Sequence, residues 1–77
     1  MMEGKLAVVK HDLREAELAA VAARTLVRQN LNEWEDDIVV GCDTETALIE
    51  LKRLHALRGK ITDLRAQKAK LEEALGK

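Results

Sequence analysis

From Leu6 onward the apolar positions of the chain fall at Val9, Leu13, Ala16, Ala20, Ala23, Val27, Leu31, Trp34 and Ile38, with nearly every step three or four residues. That spacing is one stripe of a helix, predicted here over about residues 5–38. The run Ile38-Val39-Val40 is β-branched and weakens helix propensity. Gly41 follows as the residue expected just past a helix end, so the chain should reverse in an elbow over 39–43. Asp43 or Thr44 then offers an N-cap, with Glu45 in the first turn, and a second helix is expected over about residues 44–75. Its stripe is Leu54, Leu57, Ile61, Leu64, Leu71 and Leu75, the seam of a coiled coil, and Gly76 closes it. Gly59 inside this helix reads as a surface glycine that costs about 1 kcal/mol relative to alanine. An alternative start places a capping box at Asp12-Leu13-Arg14-Glu15, with Leu6 to Val9 as a short strand.

Two arms of nearly equal length suggest an all-α, antiparallel two-helix hairpin with coiled-coil-like packing, forming a single domain over residues 1–77. Folding the chain back at Cys42 pairs Trp34 with Leu51, Leu31 with Leu54, Val27 with Leu57, Ala23 with Ile61 and Ala20 with Leu64. Leu13 then faces Leu71, and Val9 faces Leu75. The expected core is therefore Leu13, Ala20, Val27, Leu31, Trp34, Leu51, Leu54, Leu57, Ile61, Leu64, Leu71 and Leu75. Small residues oppose large ones in the middle, as interdigitation requires. Lys68 falls on the seam opposite Ala16, where its stem can lie while its ammonium reaches water. A hairpin of this size buries one stripe per helix and rarely holds a core alone. Leu18, Ala22 and Leu26 form a second apolar stripe on the first helix, so self-association into a helical bundle is expected, most simply a two-fold dimer.

Composition agrees with an all-helical class. Apolar residues make up 47% and charged residues 35%, with Trp34 the sole aromatic and no proline. The uncharged run Leu18 to Ala23 is far shorter than the roughly 20 residues that span a bilayer, and no signal-peptide pattern opens the chain. A single cysteine, Cys42, cannot form an internal disulfide and fits a cytoplasmic protein. The formal net charge of -1 favours neither nucleic acid nor anionic membrane globally.

The least ordinary chemical feature is the acidic elbow. Glu33, Glu35, Asp36, Asp37, Asp43 and Glu45 lie between Arg28 and Lys52 with no basic residue among them. Acids at the end of a helix oppose its macrodipole, which points to a partner surface, completed by Ile38, Val39 and Val40, that meets a basic protein. Aligning Gly41 with the glycine of a calcium loop puts Ile38 and Val40 where ligands should be, so no such loop is expected. The basic residues Lys52, Arg53, Arg58, Lys60, Arg65, Lys68 and Lys70 give the second helix a face that could track phosphates. Glu50, Asp63, Glu72 and Glu73 are interleaved with them, as on a salt-bridged exterior. His11, His55 and Cys42 do not form a zinc constellation; His55 lies near Gln29 and Asn30 across the expected seam, as part of a polar layer.

No nucleophile–base pair or convergent carboxylate set appears, and no cofactor is implied. The architecture resembles that of small helical hairpins that act as adaptors, assembly chaperones or phage-encoded accessory and inhibitor proteins. That resemblance implies a non-enzymatic protein–protein interaction module. The alternative is a nucleic-acid-associated regulator that uses the basic face of the second helix.

Overall fold

A computed structural model describes residues 2–76 of the chain. It contains three helices: α1 over Met2–Asn30, α2 over Ile38–Gly41 and α3 over Thr44–Ala74. The long helices α1 and α3 run antiparallel as a hairpin 56 × 17 × 15 Å in extent. Leu6 to Val9 lies inside α1, so the capping-box start and its strand are not what the chain adopts.

The inward face of each arm is an unbroken heptad stripe. On α1 the buried or half-buried positions are Leu6, Val9, Leu13, Ala16, Ala20, Ala23, Val27 and Asn30. On α3 they are Ala47, Glu50, Leu54, Leu57, Ile61, Leu64, Lys68 and Leu71, continued by Leu75 at the C-cap, with Thr46 and Glu72 half-covered at the edge. Steps alternate three and four throughout, which keeps one side of each helix on its neighbour. Lys68 is on the seam, as its spacing suggests. At the far end Gly76 takes φ 74 and its N–H donates to the Glu73 carbonyl, a left-handed cap that glycine adopts without Cβ strain.

The first arm ends eight residues before the expected position, at Asn30 rather than residue 38. Asn30 Nδ2 donates to the Leu26 carbonyl, and the Trp34 N–H donates to Asn32 Oδ1. Asparagine side chains that bond the nearby backbone compete with helix continuation, and here they win. The reversal is therefore centred ahead of Cys42, which slides the arms by one heptad. Leu64 sits with Val9, Leu13 and Ala16, and Leu13 at their centre is seven residues from the expected Ala20.

That slide redistributes the core. Trp34 is 87% exposed, and neither it nor Leu31 and Leu51, both also exposed, belongs to the seam. Leu31 instead forms an isolated antiparallel bridge with Cys42. The large buried side chains, Leu6, Val9, Leu13 and Leu64, all lie in the half away from the elbow. Toward the elbow the fully buried seam positions are Ala23, Ala47 and a carboxylate, Glu50, while Val27 and Leu54 are only half-buried. The hairpin is thus well filled at one end and thin at the other.

Candidate functional site

The thin end leads into the elbow, an ordered piece of chain. The Asn32 N–H donates to the Gly41 carbonyl and the Asp43 N–H to the Asn30 carbonyl, at 2.9 and 2.8 Å, stitching the two sides together. Between them Asp37 caps α2: its Oδ1 accepts from the N–H groups of Val39 and Val40. Gly41 is buried, and a Cβ placed on it would lie 2.7 Å from Glu35 Cβ and 3.3 Å from the Asn32 carbonyl oxygen. Its φ is not positive, so this glycine is required for close approach and not as the helix-terminating residue that its place in the sequence suggests.

This frame explains much of the acidic cluster. All six acids are exposed. With α1 ending at Asn30, none of the six lies in its last turn, whose charged residue is Arg28. Asp37 and Asp43 are N-caps, and Glu45 stands in the first turn of α3, where the helix dipole favours negative charge. Asp43 accepts from the Thr46 hydroxyl at 2.7 Å and from the Thr46 N–H at 3.1 Å, and these bonds hold its carboxyl below the usual range. Glu35 Oε1 accepts from the Asp37 N–H. Four of the six acids therefore have a local structural reason. Glu33 and Asp36 make no such side-chain hydrogen bond among the described residues and form a plain negative rim.

What the frame does not explain is its apolar surface. Ile38 is 71% exposed, Val39 88% and Val40 73%, beside the 87% exposed Trp34. The run does not plug the end of the hairpin; α2 holds it out toward solvent. Next to it an open cleft of about 400 Å³ is lined by Val27, Arg28, Leu31, Asn32, Glu33 and Trp34.

The two flanks of the hairpin differ in charge. Glu17 Oε1 and Arg65 Nη2 approach to 3.8 Å across one side of the seam. Seven-residue steps from this pair carry that flank through Arg24 and Arg58, and the row beside it holds Arg14, Arg28 and His55. Five of the six arginines thus gather on one flank, all exposed. The second-helix basic face expected from the sequence is divided between both flanks, with Lys60 and Lys70 on the other. His55 is exposed on the arginine flank rather than in a layer with the half-buried Asn30.

Among the described residues no three His, Cys, Asp or Glu side chains converge as a metal site, and no helix is long and apolar enough to cross a membrane. No family model matches the chain, and neither a curated protein nor a solved structure shows significant similarity to it.

Proposed function

We propose that the protein is a non-enzymatic protein–protein interaction module that engages its partner through the elbow, in the manner of a small adaptor, assembly chaperone or inhibitor. The supporting observation is the exposure of Trp34, Ile38, Val39 and Val40 on a hydrogen-bonded frame. Exposed apolar side chains lose little entropy on binding when the backbone beneath them is already ordered, and a tryptophan anchor with a polar rim is a common composition for an interface hot spot. The partner chemistry that fits is an apolar groove edged by basic residues. Glu33 and Asp36 would speed its encounter more than they would add affinity.

The test pairs Trp34→Ala with Val39→Ser and follows thermal melting and capture of specific partners from native lysate in parallel. Both positions are almost fully solvated, so the melt should stay within about 0.5 kcal/mol of the parent. Lost capture with an unchanged melt supports the elbow, and unchanged capture removes it.

The gathering of Arg14, Arg24, Arg28, Arg58 and Arg65 on one flank favours a second reading, in which that flank lies along a phosphate backbone. Titration with a duplex oligonucleotide distinguishes the two. Phosphate binding weakens steeply with rising salt, whereas an apolar elbow contact tolerates it.

A further inference from the structure

The flank opposite the arginines leads to a separate conclusion, independent of the elbow. Near the chain ends that flank is marked by a groove lined by Lys5, Val8, Asp12, Gln67 and Lys70. Seven-residue steps from these residues pass Glu15, Lys60 and Asp63 and, nearer the elbow, reach Ala19, Ala22 and Leu26 on α1, and Ile49, Arg53 and Ala56 on α3. These last six are all exposed, Leu26 at 39% and Ile49 at 60%. Leu18, 58% exposed, borders them. Arg53 is the charged member, and its guanidinium already lies 3.5 Å from the carboxylate of Glu50, whose Oε2 is buried without a hydrogen bond.

We infer that this flank is the interface of a two-fold homodimer, with two hairpins forming a four-helix bundle. The first reason is area. A compact monomer of 8.6 kDa exposes about 4,700 Å² by the size scaling of folded chains, and this chain exposes 6175 Å². The excess of about 1,500 Å² per protomer, about 3,000 Å² for a pair, falls within the range of obligate homodimers.

The second reason is where the core is missing. Toward the elbow the fully buried seam positions are Ala23, Ala47 and Glu50, Val27 and Leu54 are only half-buried, and Leu26 and Ile49 lie outside the seam. Packing a second copy there would bury Leu26 and Ile49 and shield the Glu50–Arg53 pair from water. The alanines between them let helices approach closely.

The third reason is charge, and it selects the flank. A two-fold interface sets a surface against itself, so the arginine-rich side would meet its own sign. The Ala22 side carries only Arg53 in the elbow half, and farther out its charges, Lys5, Asp12, Glu15, Lys60, Asp63 and Lys70, are of both signs and balance, so it meets itself without net repulsion.

The experiment is sedimentation equilibrium of the full chain at micromolar concentration, with Ile49→Glu on this flank and Leu51→Glu, 50% exposed on the other, as the matched control. The parent and Leu51→Glu should be dimers, and Ile49→Glu should self-associate at least about a hundredfold more weakly, because each interface then buries unpaired carboxylates. Where Ile49→Glu also loses helix, circular dichroism over a concentration series decides. Helix recovered at higher concentration supports coupled folding and dimerisation, and concentration-independent unfolding overturns the interface. A monomeric parent with a full cooperative melt, or dissociation by Leu51→Glu as readily as by Ile49→Glu, also overturns it.

Discussion

Replacing Leu64 by alanine measures the heart of the hairpin and its register together. Leu64 is 8% exposed and sits with Val9, Leu13 and Ala16, while Leu57, Ile61 and Leu71 close around them. The change removes three buried carbons, which at about 0.8 kcal/mol each is about 2.4 kcal/mol of transfer free energy. The cavity adds less here than in a large globular core, because the surrounding side chains are only half-buried and can settle into the gap. The expected cost is therefore about 2–3 kcal/mol. That is a large share of the roughly 4–12 kcal/mol available to a chain of this length. It should lower the melting temperature by about 10–20 °C. Leu51→Ala is the informative companion. In the register expected from spacing alone Leu51 faces Trp34 and would cost as much, but in the structure it is half-exposed and should cost about 1 kcal/mol or less. Arg65→Ala, which removes an exposed pair at 3.8 Å, should cost well under about 1 kcal/mol. Urea melts at one fixed protein concentration, with comparable slopes, provide the comparison. Equal losses for Leu51 and Leu64, or a negligible loss for Leu64, would refute the register described here.

The two interior glycines should respond in opposite directions. Gly41→Ala forces a Cβ against Glu35 and should destabilise the fold by about 1–3 kcal/mol, whereas Gly59 has nothing within 4 Å and Gly59→Ala should stabilise it by about 0.5–1 kcal/mol, both read from thermal melts. Acid titration should expose the cap of α3. Because hydrogen bonds from Thr46 lower the Asp43 pKa in the folded chain, its contribution is fully present above the ordinary carboxylate pKa and is lost as pH falls through the lowered value. The stability gap between the parent and Asp43→Asn should accordingly shrink toward acid pH, and a gap independent of pH would contradict the assignment. Asp37→Ala should loosen α2 and cost about 1 kcal/mol, detectable as faster amide exchange at Val39 and Val40.

Much of the fold is legible in the order of residues. The alternating three–four spacing on both arms, the absence of proline and the glycine at position 76 specify two long helices and the faces they turn toward each other. Seam positions such as Leu13, Leu57, Ile61, Leu64 and Lys68 follow from period alone, because a helix maps sequence spacing directly onto one side of its surface. The two asparagines flanking Leu31 carried the signal for the end of α1, but apolar spacing that continued through Leu31, Trp34 and Ile38 outweighed it. Tertiary structure decided the axial offset. A heptad stripe looks the same after a shift of seven residues, so the pattern on either arm does not distinguish Leu64 against Ala20 from Leu64 against Leu13. The offset is set by where the backbone reverses, and that depends on hydrogen bonds joining Asn30 to Asp43 and Asn32 to Gly41 and on a glycine small enough to pass Glu35. From that single displacement follow the solvent-facing Trp34, the exposed Ile38-Val39-Val40 segment, and the role of Asp37 as the cap of α2.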